Sequence, residues 1–204
     1  MVPNSTTYKE VDNIGDYIVP EEKKVVYIPT LEEHHYFLFN KEFDAISAGE
    51  AMTFILQRNL MKENRPENIK MIINSPGGEM DSMFALVDTM KGSKIPVHTY
   101  GLGEISSAGL FTFIAGQKGK RFVTRNTTIM SHQYFAGVLG KEHEIMGTYK
   151  HFNLSSKRLM EHVKLCTGLK ETQIKKYLLT PTDVYLSAKE AVQLGIADEI
   201  ISFY

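Results

Sequence analysis

The run Ile69–Asn74 (IKMIIN) is short, mostly apolar, and closed at once by Ser75-Pro76-Gly77-Gly78. A strand with one face in water alternates apolar and polar residues. A nearly unbroken apolar run of this length reads instead as a strand covered on both faces, as in sheets flanked by helices. Strand and helix signals alternate around it. Tyr36–Phe39 (YFLF), Ile95–Tyr100, Arg121–Thr124 (RFVT) and Thr127–Gln133 (TTIMSHQ) read as strands. Helices are expected over Ser47–Met61, over Met80–Lys91 with Gly92 closing it, and over Lys141–Thr167 with Gly168 as its C-cap. Ser187-x-x-Glu190 is a capping box for a short last helix ending at Gly195. The alternation predicts an α/β fold with a buried sheet.

The long helix carries an apolar face of Ile145, Tyr149, Phe152, Leu159, Val163 and Cys166, at spacings of three, four or seven. Its histidines, His143, His151 and His162, are expected on the opposite, exposed side. With 204 residues, 43% of them hydrophobic, the chain suits one compact domain. Residues 1–35 are polar, carry charged clusters and three prolines, and read as an N-terminal arm with one short strand at Val25–Pro29 (VVYIP). The domain proper is expected over residues 36–204.

The formal net charge of −1 gives no support for a nucleic-acid partner. No apolar run approaches the roughly 18 residues of a membrane span. The N-terminus lacks a basic-then-apolar signal pattern, so the expected location is the cytoplasm. A lone cysteine, Cys166, excludes an internal disulfide framework, agrees with a reducing compartment and reads as core packing. His34-His35 has no further ligands at metal spacing, so neither metal nor cofactor is expected.

Gly103–Gly116 (GEISSAGLFTFIAG) raises the chemical question. Two serines in the first turn of an apolar helix read most simply as caps, serine being a favoured N-cap residue. A serine at a strand-to-helix turn can also be a nucleophile, with neighbouring N–H groups to receive an oxyanion. The Ser75–Gly78 turn can expose such N–H groups at a sheet end, and His132 stands near the end of an expected strand. A helix-start serine, a glycine turn and a strand-end histidine are the minimum for acyl transfer.

Five segments together resemble the proteolytic subunits of the Clp (caseinolytic) protease family. They are Ile73–Gly78 (INSPGG), Gly103–Gly109 (GEISSAG), Gly116–Phe122 (GQKGKRF), Met130–Gln133 (MSHQ) and Asp183–Ile200 (DVYLSAKEAVQLGIADEI). The likeness covers about Tyr36 to Ile201. It implies a crotonase-like superhelix of repeated β-β-α units with a protruding long helix. It also implies a serine endopeptidase with Ser107, not Ser106, as nucleophile, His132 as base and Asp183 as acid. The oxyanion donors it implies are the N–H groups of Gly78 and Ala108. Substrate would add as a strand between Glu79–Asp81 and Gln133–Gly137. The implied assembly is a heptameric ring, or two stacked rings joined through the long helix, fed with unfolded proteins by an ATP-driven unfoldase.

The chain departs from the family's pattern in three places. Tyr134 and Phe135 follow the HQ pair where the family usually has proline. Pro181 and Thr182 stand where an acid and an arginine serve ring stacking, and Glu104 stands where a polar residue such as glutamine is common. Two other readings compete. A crotonase-like acyl-CoA enzyme needs no Ser-His-Asp set, and a catalytically silent ring subunit would typically lack one of the three, all present here.

Overall fold

The computed structural model describes residues 29–134 and 137–202; the expected strand at Val25–Pro29 falls almost wholly outside them. The described residues form a mixed α/β fold. In chain order the elements are β1 (Tyr36–Phe39), α1 (Ala45–Leu60), β2 (Ile69–Ser75), α2 (Met80–Gly92), β3 (Val97–Ser106), α3 (Ala108–Phe113), β4 (Arg121–Thr124), β5 (Thr128–Ser131), α4 (Glu142–Thr167), α5 (Glu171–Tyr177), β6 (Val184–Leu186), α6 (Ala188–Gln193) and β7 (Glu199–Ile201). The sheet runs β1-β2-β3-β4-β7, every neighbouring pair parallel. β5 also pairs with β3 in parallel, and β6 closes on β5 antiparallel.

The apolar run of β2 lies between β1 and β3 with Ile69, Met71 and Ile73 fully buried. Helix α1 begins at Ala45, two residues before Ser47, because Asp44 caps it. The Asp44 carboxylate accepts from the Ser47 N–H at 2.6 Å, and the Ser47 hydroxyl accepts from the Asp44 N–H at 3.0 Å. Helix α2 includes Gly92, and Ser93 takes the C-cap.

Strand β3 departs most from the sequence reading. Instead of stopping at Tyr100 it continues to Ser106, so Ser106 belongs to the strand and not to the helix that follows. The strand forks. Thr99–Gly101 pair with β4, whereas Glu104–Ser106 pair with β5. The change of partner falls at Gly103, φ +64, where a Cβ would come within 2.9 Å of Asn74 Oδ1. Asn74 also accepts from the Glu104 N–H at 3.0 Å.

Helix α4 has 26 residues, and Gly168 caps it in the left-handed conformation at φ +79. Its expected apolar face is buried only in the second half. Leu159, Val163 and Cys166 are in the core, whereas Tyr149 is 59% exposed and Ile145 is also on the surface. His143 and His151 are exposed as expected, but His162 is not: it is buried, and its Nε2 donates to the Phe111 carbonyl at 2.7 Å. Accepting helix α3 as its partner is what draws this histidine inward.

Strands β4 and β7 are tied to α4 by Arg121, which is 1% exposed. Its guanidinium makes paired hydrogen bonds to the Asp198 carboxylate at 2.8 and 2.6 Å and donates to the Cys166 carbonyl at 3.0 Å. Asp198 also accepts from the N–H groups of Gly119 and Arg121. Burial pushes the Asp198 carboxyl up, but the hydrogen bonds and charge of Arg121 outweigh it and hold the group below its ordinary range. Among the described residues, no helix is long and apolar enough to cross a membrane.

Candidate active site

Ser107 is the hinge between β3 and α3, with φ +49 and ψ −118. Positive φ in a non-glycine residue costs of order 1–3 kcal/mol and survives only where the surroundings over-determine it. Here the Ser107 N–H donates to the Met130 carbonyl at 3.0 Å, and its carbonyl accepts from the Phe111 N–H at 3.0 Å. The serine is thus fixed to β5 on one side and to α3 on the other. A strained serine at a sharp strand-to-helix turn is the device that lifts a nucleophile out of a sheet. Neither serine of the pair caps α3 through its side chain. Ser106 is fully buried and its hydroxyl donates to Glu104 at 2.6 Å, while the Ser107 hydroxyl points to His132.

His132 follows directly on β5 and is half-buried. Its Nε2 lies 2.9 Å from Ser107 Oγ, a hydrogen bond whose donor is set by the tautomer of the ring. The next residue, Gln133, donates its N–H to the Thr180 carbonyl at 3.1 Å, which holds the end of the strand in place.

The turn after β2 supplies the third part. Gly77 and Gly78 have φ of +105 and +137. The Gly77 carbonyl accepts from the Phe43 N–H at 2.7 Å, and the Phe43 carbonyl accepts from the Glu79 N–H at 2.8 Å, so Phe43 clamps the turn on both sides of Gly78. A Cβ on Gly78 would lie 2.3 Å from the Phe43 oxygen, and one on Gly77 would meet Ser107 Cβ at 2.8 Å. Only glycine lets the turn pass this close. Among the described residues, the N–H groups of Gly78 and Ala108 have no hydrogen-bond partner. Both flank a cleft of about 260 Å³ with Ser107 and His132, whose apolar walls are Met80, Met83, Phe111 and Leu159.

Asp183 is exposed, just ahead of β6, and among the described residues no hydrogen bond joins it to His132. The antiparallel register pairs Met130 with Tyr185 and Ser131 with Val184. One further step would set His132 opposite Asp183. Of the two segments expected to flank substrate, Glu79 is extended, but Met80 and Asp81 already form the first turn of α2.

The sequence reading missed Phe43, Phe111 and Leu159. Leu159 carried a signal, its place on the apolar face of α4. Phe111 sat within an apolar run, and Phe43 showed no local pattern at all.

A serine with an imidazole at its hydroxyl and two unpaired N–H groups beside it can carry out acyl transfer. The comparisons with known proteins give the class: the chain belongs to the Clp protease family, whose model matches residues 21–203. Among its relatives, ATP-dependent Clp protease proteolytic subunit 1 of Corynebacterium jeikeium is 34% identical over 183 residues, 90% of this chain and 95% of that protein. Proteolytic subunit 2 of Corynebacterium diphtheriae is 34% identical over 86% of each chain. Proteolytic subunit 1 of Rhodopirellula baltica is 33% identical over 84% of this chain and 74% of its own length.

Proposed function

We propose that the chain is the peptidase subunit of a Clp-type serine protease, and that Ser107, His132 and Asp183 are its catalytic triad. The observation that carries this is the 2.9 Å contact between Ser107 Oγ and His132 Nε2 beside two unpaired backbone donors. His132 takes the Ser107 proton as the oxygen attacks a peptide carbonyl, then gives it to the leaving amine. Asp183 turns toward Nδ1 and stabilises the imidazolium. The N–H groups of Gly78 and Ala108 receive the oxyanion, each worth roughly 3 kcal/mol by analogy with measured oxyanion holes. Water hydrolyses the acyl-enzyme, with His132 again as base.

The extended backbone at Glu79 and at Gln133 receives substrate as an added strand, which reads main chain more than side chains. A loosely selective peptidase needs its sites enclosed. The subunit therefore works as a heptameric ring, single or stacked in two through α4, built on the superhelix of β-β-α units. In the cytoplasm it receives unfolded proteins from an ATP-driven unfoldase, and it needs no cofactor. The relatives' names, ATP-dependent proteolytic subunits, support the unfoldase.

Ser107→Ala abolishes turnover of a short fluorogenic peptide, whereas Ser106→Ala, which removes only the bond to Glu104, keeps most of it. Equal loss in both variants, or greater loss from Ser106→Ala, contradicts the assignment. One observation favours a second reading, a silent ring subunit: Asp183 is exposed and unbonded to His132. A folded, assembled chain with no peptide turnover and no reaction with a fluorophosphonate would support it. Family membership leaves the acyl-CoA reading without support.

A further inference from the structure

We infer that the ring of Tyr134 is the partition that sets how large a side chain the site accepts immediately before the scissile bond, an inference that rests on the protease reading. The cleft beside Ser107, about 260 Å³, does not end at solid protein. A second cavity of about 180 Å³ adjoins it, lined by Ser156, Met160, Lys175 and Leu179. Gln133, Tyr134 and Leu159 line both cavities, so these three form the wall between them.

The three are not equivalent. Leu159 is 1% exposed and anchored in the core, and the Gln133 main chain is pinned to Thr180. Tyr134 is half-buried and held by side-chain contacts. Its ring stands edge-on to Phe152 of α4, centroids 5.6 Å apart at 69°. It shares the lining of the cleft with Met80 at the start of α2, and the neighbouring Asp81 faces His151 of α4 at 3.6 Å. Tyr134 thus lines the cleft with Met80 of α2 and rests on Phe152 of α4, and of the three wall residues it is the one neither sunk in the core nor tied through its main chain to Thr180.

Volume decides what fits. An apolar cavity of about 150 Å³ holds one benzene ring. The nearer cavity must take the substrate main chain at Ser107 as well as the side chain, so it admits a leucine, methionine or single ring but not two fused rings. Without the Tyr134 ring, the second cavity becomes the floor of the first, and a bicyclic side chain fits.

The test compares two fluorogenic peptide amides, identical except for leucine or 2-naphthylalanine just before the scissile amide. The expected result is that Tyr134→Ala raises the ratio of kcat/KM for naphthylalanine over leucine by at least about tenfold, the scale on which pocket size discriminates. Tyr134→Phe keeps the wild-type ratio. Should Tyr134→Ala fail to fold, Phe152→Ala, which frees the Tyr134 ring without touching the cleft, moves the ratio the same way by less. A folded Tyr134→Ala that cuts the leucine peptide at the wild-type ratio overturns the inference. So does Phe152→Ala leaving the ratio unmoved where Tyr134→Ala cannot be made. Failure of the protease reading looks different: the wild type itself then cuts neither peptide, and the partition has nothing to select.

Discussion

Asp183 is the residue of the proposed triad with the least around it. It is exposed and stands one register step beyond the last paired residues of β5 and β6. Its proposed role is orientation of an imidazole whose Nε2 already meets Ser107. Asp183→Asn therefore folds and assembles but holds the wrong tautomer, and peptide turnover falls by about four orders of magnitude, by analogy with the same change in a well-studied triad. Turnover within tenfold of wild type would mean that another group orients His132. The strain at Ser107 belongs to this scale as well. Its φ of +49 is set by the Met130 carbonyl, the Phe111 N–H and the close approach of Gly77. None of these is adjacent to it in sequence, so local pattern at Ser106-Ser107 pointed to a cap where the fold makes a hinge.

Among the elements, those governed by local rules were legible. The Ser187–Glu190 capping box, the Gly168 C-cap and the short strands β1 and β4 lie where the sequence puts them. The elements governed by partners were not. β3 runs on past its glycines because β5 waits to pair with it, and Ile145 and Tyr149 of the apolar stripe of α4 lie on the surface. The Arg121–Asp198 pair joins residues 77 apart, beyond the reach of any periodicity. That pair carries a stability prediction. Asp198→Asn leaves a guanidinium that is 1% exposed without its counter-charge, and loss of one partner of a buried pair costs roughly 3–5 kcal/mol. The Asp198 carboxyl is held low in the folded chain. Its contribution is present above the ordinary carboxylate pKa of about 3.9 and is lost as pH falls through the lower folded value. Urea denaturation should show a lower midpoint for the variant at neutral pH and a shrinking gap from wild type below about pH 4. Equal midpoints at neutral pH would show that the pair adds nothing.

For the whole molecule, the proposal of an enclosed chamber rests on loose selectivity: a cleft that reads main chain would endanger other proteins unless it were enclosed. Native mass spectrometry across a salt series should find a heptameric ring. With Pro181 and Thr182 where the family resemblance implies an acid and an arginine for ring stacking, any double ring should come apart at salt concentrations that leave single rings intact. A fully active monomer would refute the chamber, while a salt-resistant double ring would refute only the weakened stacking. The central claim, that Ser107 is an activated nucleophile, has a more direct test. The intact protein is treated with a fluorophosphonate and its peptides are mapped by mass. The account predicts one adduct per chain, on Ser107, lost in His132→Ala and in Ser107→Ala but kept in Ser106→Ala. An unreacted wild-type chain, or an adduct on any other residue, would contradict it.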